Sequence, residues 1–468
     1  MKKIITLLLV LVMVFSLCAC SNSQGGAGEK TTAGLQVGFG RENVTPDFSC
    51  GIGGYSDNET RRSQGYLDYL YATCIAFTEG EDTILLFTLD NLAANQQNVE
   101  RLRESVAPAT GIPAERIYAV ATHTHSAPSI TTNDAEGVRY QELFYAGAVK
   151  AAEAALADRA PASIQSTKTV LENMNFVRHY LLENGTYAGS NFGDFGSAAI
   201  KEHATEGDPE MVLVKFVRED ESKKDILLVN WQAHADHAKE NGYYNMSADF
   251  PGALRAKVEK ETDLLCAYFA GAGGNQNPDS RIQSEMHYLQ MKEYGEKLAE
   301  HAIAALPNLA PVEGSGIKTT QVIYDAPIDH SWDPYLNQAN EVYDLWKNVG
   351  KTEGDTLGKT YNFTSVYQAR AIKSRASMGL TGTLELNAFS VGGLGFITGT
   401  YEMFSNSGLY IKANSPFETT VICTGNSGYI PAKEAYDYRS YESDTGMYAQ
   451  GTCEALAEKY VEMLKSLQ

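Results

Sequence analysis

The sequence predicts an α/β fold, one large domain in which a mixed β-sheet core is flanked by helices. Short apolar runs of strand length recur along the chain, and segments with apolar residues at helical spacing lie between many of them. Cys74–Thr78, Thr83–Leu89, Ile117–Ala121, Met211–Val217, Ile226–Trp231, Leu264–Ala270, Leu384–Val391 and Thr419–Thr424 read as strands. Gln141–Leu156 is Ala-rich and helical, Pro251 opens a helix behind a cap at Asp249, and Ile282–Leu306 reads as a long helix. The last segment sets Cys453, Leu456, Tyr460, Met463, Leu464 and Leu467 on one helical face. Several runs stop directly on polar or glycine-rich turns: Leu89-Asp90-Asn91, Ala121-Thr122-His123 and Ala270-Gly271-Ala272-Gly273-Gly274-Asn275. In open α/β sheets ligands bind beyond strand ends, so chemistry is expected on these turns.

The 468-residue chain begins Met1-Lys2-Lys3, followed by an apolar stretch over residues 4–17. That stretch is too short for a comfortable bilayer span and has the basic start of an export signal. Leu17-Cys18-Ala19-Cys20 resembles a bacterial lipobox. Residues 1–20 are therefore expected to be a lipoprotein signal, with Cys20 the lipidated first residue of the mature protein; a plain secretory signal cut nearby is the alternative. Residues 21–34, rich in Gly, Ser and Thr, read as a flexible tether, and residues 35–468 as the folded domain. The expected location is the extracytoplasmic face of the cell membrane, held by the lipid anchor alone.

A net charge of −20 with no basic stripe argues against nucleic acid and anionic headgroups as partners, because both are bound through clustered Lys and Arg. Beyond Cys18 and Cys20 the cysteines are Cys50, Cys74, Cys266, Cys423 and Cys453. Their number is odd and no C-x-x-C pair occurs, so neither a complete disulfide framework nor a thiolate zinc site is indicated. They are expected to be small buried apolar residues.

The most informative stretch is Thr122-His123-Thr124-His125-Ser126-Ala127-Pro128, where two imidazoles at i and i+2 follow a strand. One can hold a metal while the other faces whatever the metal polarises. A second cluster, His234 and His237, follows the run that ends at Trp231, and His237 is expected to be exposed.

These residues resemble the neutral/alkaline, non-lysosomal ceramidase family, which are zinc amidases. His123-Thr124-His125-Ser126-Ala127-Pro128 is similar to the family's His-Thr-His-Ser-Gly-Pro, and Asn230-Trp231-Gln232-Ala233-His234 to its second histidine segment. Glu402-Met403-Phe404, followed by Gly408-Leu409-Tyr410-Ile411-Lys412, resembles the segment of the third ligand, although Thr400-Tyr401 replaces the family's Pro-Gly. Ser427-Gly428-Tyr429 resembles the turn of the fourth, with a further active-site tyrosine, Tyr441, in Tyr441-Glu442. Val37-Gly38-Phe39-Gly40, Val44-Thr45-Pro46 and Asp208-Pro209-Glu210 extend the likeness, and Asn175-Phe176-Val177-Arg178 resembles the segment bearing an active-site arginine.

The resemblance implies Zn²⁺ held by His123, His234, Glu402 and Tyr429, with a coordinated water whose pKa falls to about 7 and which attacks an amide carbonyl. It further implies that Arg178 and Tyr441 lie at the active site, and with His125 they are expected to serve the oxyanion, His125 also relaying a proton. Asp90 and Asp249 are expected to orient ligand imidazoles from behind. Where the family carries Gly-Asp-x-Ser-Pro-Asn, this chain has Gly274-Asn275-Gln276-Asn277-Pro278, so that turn offers no serine nucleophile and leaves water as the attacking group. With 66 residues after Glu402, the immunoglobulin-like C-terminal domain that the family carries is not expected here. The expected substrate is a small-molecule amide or lipid. Two other readings fit the same residues: a solute-binding surface lipoprotein without chemistry, and a zinc esterase or lactonase.

Overall fold

Strand β1 (Gln36–Asn43) shows how alternation builds the core. Val37 and Phe39 enter one apolar layer, while Gly38 and Gly40 face the helix Ala135–Ala157 on the other side. That helix lies so close that a Cβ at Gly38 would stand 2.0 Å from the Ala155 carbonyl oxygen, and one at Gly40 2.0 Å from that of Ala151. Glycine is required at both positions by this approach.

The structure, a computed structural model, describes residues 34–55, 60–189, 199–236, 243–278, 291–425 and 427–468. Residues 34–468 form a single unit. The signal, tether and lipidation expectations, Cys20 included, lie outside the described residues, as does His237. After β1 come β2 (Tyr71–Glu79), β3 (Asp82–Leu89), β4 (Ile117–Ala121), β5 (Ala160–Val170), β6 (Glu210–Arg218), β7 (Asp225–Trp231) and β8 (Leu264–Ala270). They make a nine-stranded mixed sheet in the order β8-β7-β6-β5-β1-β2-β3-β4, with Ala310–Pro311 added beside β5. Only the β3/β4 and β7/β8 pairs along this path are parallel. A second sheet has the order β9 (Ile317–Pro327), β10 (Thr381–Val391), β11 (Leu394–Gly399), β12 (Thr419–Thr424), and its β11/β12 pair is parallel.

The helices are α1 (Gln96–Thr110), α2 (Ala135–Ala157), α3 (Asp249–Glu261), α4 (Met291–Ala305), α5 (Leu336–Asn348), α6 (Lys351–Thr360), α7 (Val366–Ala376), α8 (Ser405–Asn414) and α9 (Thr452–Lys465). Asn95 and Asp134 cap α1 and α2 by accepting the amides of Asn98 and Gly137. The expected long helix over 282–306 is described from Met291 onward. Asp249 is not a cap: it is the first residue of α3, at φ 57°, and its Oδ1 accepts the neighbouring Phe250 amide at 2.6 Å.

Between the sheets lies an apolar layer in which Phe77 meets Phe216 at 5.1 Å and Phe389 stacks on Phe396 at 4.7 Å. The outer face of β2–β4 is covered by α1 and α2, that of β6–β8 by α3 and α4, and that of the second sheet by α9. All five described cysteines are buried free thiols. Helices α5–α7 are inserted between β9 and β10 and have their own small core, including Val342, Phe363, Val366 and Ile372.

Each parallel pair needs a crossover, and here each crossover carries a helix: β3-α1-β4, β7-α3-β8 and β11-α8-β12. The C-terminal ends of these strands meet. Thr424 Oγ1, at the end of β12, donates to the Gly271 carbonyl beyond β8 at 2.9 Å, and the His125 amide beyond β4 donates to Ala235 O beyond β7 at 2.9 Å. The turns that leave the six strands therefore converge on one place, as ligand sites of open α/β sheets do.

Candidate metal centre

His123 follows β4 in a left-handed conformation, φ 65°, so the chain turns sharply there rather than continuing extended. Its Nδ1 donates to Leu92 O at 2.8 Å, beyond β3. His234, beyond β7, has its Nδ1 3.0 Å from Gly273 O and 3.1 Å from Gln276 O, in the turn after β8. A carbonyl oxygen only accepts, so both Nδ1 atoms carry the hydrogen and both Nε2 atoms present a lone pair.

The lone pairs face one another. His123 Nε2 lies 3.2 Å from His125 Nε2 and 3.4 Å from Glu402 Oε2. His234 Nε2 lies 3.3 Å from Glu402 Oε2 and 3.5 Å from the Tyr429 hydroxyl. The ligand-type nitrogens of His123, His125 and His234 all fall within 4.8 Å of one another. Four-coordinate zinc with bonds of 2.0–2.1 Å sets neighbouring ligands about 3.3 Å apart, which matches this spacing. Glu402 Oε2 and His125 Nδ1 are buried with no hydrogen-bond partner. A buried, unsatisfied carboxylate oxygen amid imidazole lone pairs fits a divalent cation, and these residues could hold one.

Electrostatics point the same way. Burial favours the neutral acid for Glu402, and only positive charge on its His123 and His234 neighbours holds its carboxyl well below the usual range, so this pocket calls for a cation between the rings and the carboxylate. Burial, then His123 and His234, drive the His125 imidazole well below its ordinary value, so it stays neutral. His234 is lowered by burial and by Arg178.

Beside the cluster, buried Arg178 donates from Nε to Glu442 Oε1 at 2.7 Å, from Nη1 to Asn277 Oδ1 at 3.2 Å and from Nη2 to Gly274 O at 3.2 Å. The other oxygen of Glu442 lies 2.7 Å from His179 Nε2, and His179 Nδ1 lies 2.9 Å from the Tyr438 hydroxyl. Against its burial, His179 and Arg178 hold the Glu442 carboxyl far below the usual range. Two hollows of about 490 and 510 Å³ meet here, sharing Gly54, Tyr55, His125, Tyr429 and Tyr441 in their walls. A larger one of about 790 Å³, lined by Phe176, His203 and Leu409, is not walled by any residue of the cluster.

His123, His125, His234, Glu402, Tyr429, Arg178 and Tyr441 thus come together around one space, although they come from distant parts of the chain. His125 stands among the ligand-type atoms rather than apart from them. Asp90 does not orient an imidazole: its oxygens take Arg255 at 2.8 and 2.6 Å. Backbone carbonyls beyond β3 and β8 hold the Nδ1 atoms of His123 and His234 in the way expected of Asp90 and Asp249. Asn275 locks the turn to α8, accepting the Ser405 amide at 2.8 Å and donating to Ser405 Oγ at 3.1 Å, whereas Asn277 touches Arg178. The sequence reading missed His179, the clamping role of Glu442, and Tyr55. The adjacency Arg178-His179 in a chain with nine histidines was the available signal.

No protein-family model and no curated protein matches the sequence. Solved structures similar to this one include the following two. Neutral ceramidase from Pseudomonas aeruginosa aligns with a TM-score of 0.68 and 17% identity, covering 93% of this chain and 75% of that one. "Ceramidase complexed with C2" aligns with a TM-score of 0.66 and 15% identity, covering 93% of this chain and 76% of that one.

Proposed function

We propose that this chain, whose fold is neutral ceramidase-like, is a zinc-dependent hydrolase that cleaves the amide bond of an N-acyl compound with water. The observation that carries the reading is the set of donor contacts, 3.2–3.5 Å, linking His125, His123, Glu402, His234 and Tyr429. In this reading His123, His234, Glu402 and Tyr429 hold Zn²⁺. Such an ion supplies Lewis acidity, lowering the pKa of water to about 7 and polarising a carbonyl.

The chain's own groups do the rest. Arg178 is fixed by Glu442, Asn277 and Gly274 O, so it presents a positive charge with little reorganisation to the oxyanion that forms when the carbonyl is attacked. Tyr441, about half exposed and in both cavity walls, offers its hydroxyl to the same oxygen. The departing amine must gain a proton, and neutral, part-buried His125 is placed to relay one. Leu17–Cys20 supports an exported, lipid-anchored enzyme. Amide plus water gives a carboxylic acid and an amine, and the names of the two similar structures support an amide as the bond broken.

The test is metal content together with turnover. Purified protein should carry about one equivalent of zinc and release amine from N-acyl amides, a chelator should stop the reaction, and His123→Ala should lose the metal and on the order of 10³-fold in kcat/KM. Full turnover by His123→Ala would overturn the proposal, as would failure of metal-reconstituted protein to bind zinc. In the latter case a non-catalytic solute-binding role would remain.

A further inference from the structure

Helix α7 of the inserted helical unit brings two residues to the site. Tyr367 and Arg370 line the same cavity as His123, Glu402 and Tyr441. A ladder of rings leads inward from them, Tyr367 to Tyr441 at 6.1 Å, Tyr441 to Tyr429 at 6.1 Å and Tyr429 to His234 at 6.3 Å, with the Arg370 guanidinium 5.5 Å from the Tyr367 ring centre.

The guanidinium groups in these walls differ in what they already hold. Arg178 is committed to Glu442, and Arg439 to Asp444 at 3.6 Å and Gln368 at 3.1 Å. Arg370 is exposed and, among the described residues, has only ring contacts, with Trp346 and Tyr367. In a chain with 58 acidic residues against 38 basic ones, a guanidinium left without a carboxylate at the mouth of a reactive site is free for an anion brought by the ligand. The walls carry a second message. Among the described lining residues of the two hollows, the aliphatic side chains are Leu92, Ala93 and Ala188, and every aromatic ring is a tyrosine or a histidine. A long alkyl chain is recognised by a predominantly apolar pocket, which the described walls do not offer.

We infer that the site takes short amides bearing a carboxylate or phosphate, with Arg370 as the residue that binds this anionic group, in preference to long-chain lipid amides. This rests on the amidase reading, and the experiment separates the two. kcat/KM is measured for N-acetylglycine, N-acetylethanolamine, its O-phosphate and an N-acylsphingosine, with wild-type protein, Arg370→Ala and Arg370→Lys, each checked for zinc content and circular dichroism. Equilibrium binding of the same compounds is measured by calorimetry. The expected result is a preference of about 10–100-fold for one or both anionic amides over the neutral one. Arg370→Ala should abolish that preference through KM, and Arg370→Lys should restore part of it. The carboxylate and phosphate arms identify the anion. Cleavage with no charge preference, a preference untouched in Arg370→Ala, or best turnover of the N-acylsphingosine overturns the inference and leaves the amidase intact. Anion binding that depends on Arg370 with no amide cleaved supports the anion site and overturns the amidase. Neither binding nor cleavage overturns both.

Discussion

At the residue scale, the buried Arg178–Glu442–His179 group shows how the site keeps a charge in place. Glu442 is paired on both oxygens, so its loss leaves a buried guanidinium without its counter-charge. Glu442→Gln should therefore cost about 3–5 kcal/mol in urea unfolding, and adding Arg178→Met should recover part of that. The same pairing sets a pH dependence. The folded-state carboxyl pKa is depressed, so its stabilisation is complete above the unfolded value of about 4.3 and is lost as pH falls below it toward the folded one. The acid limb of the stability curve should be shallower in Glu442→Gln, and an unchanged limb would remove Glu442 from that role. Sequence made His123 and His234 visible because each sits just past an apolar strand. It could not reveal that Glu442 clamps Arg178, since the two are 264 positions apart and only tertiary packing joins them.

At the scale of elements, legibility followed burial on both faces. Ile117–Ala121, Leu264–Ala270 and Thr419–Thr424 are strands with the expected bounds, because a strand covered on both sides reads as a run of apolar and β-branched residues without charges. β9 did not register: it is an edge strand, with positions such as Lys318 and Ile323 facing solvent, so no continuous run marks it. α6 was hidden for a different reason. Gly354 and Gly358 read as breakers, yet a Cβ at Gly354 would stand 2.6 Å from Val366 Cγ1, so glycine there allows α6 and α7 to pack. The tighter contact of β1 with α2 gives a prediction. Gly40→Ala should destabilise by about 2–3 kcal/mol, because backbone rather than a movable side chain blocks the new methyl. Gly34→Ala, with open space around it, should stay within about 0.5 kcal/mol of wild type in the same unfolding assay. Equal effects would mean that α2 can slide away from the sheet.

At the scale of the whole molecule, the cluster gathers donors from the turns after β4, β7, β11 and β12, so both sheets contribute to it. Folding sets lone pairs and a carboxylate against one another, a repulsive arrangement that a cation relieves in the folded state and cannot find in the unfolded chain. If the proposed zinc is bound, metal binding and folding are linked: a site holding zinc at 100 times its Kd adds about 2.7 kcal/mol to stability. Thermal unfolding of zinc-loaded protein should shift downward when a chelator is added, return on reloading, and show no shift in His234→Ala. Because the donors span both sheets, amide exchange on chelation should accelerate at the ends of β4, β7, β11 and β12 together, while α5–α7, which supply none of the donors, should change least. Acceleration confined to one strand end would mean that the ion is held by a single segment, and identical melting with and without zinc would mean that the four turns are held together by packing alone.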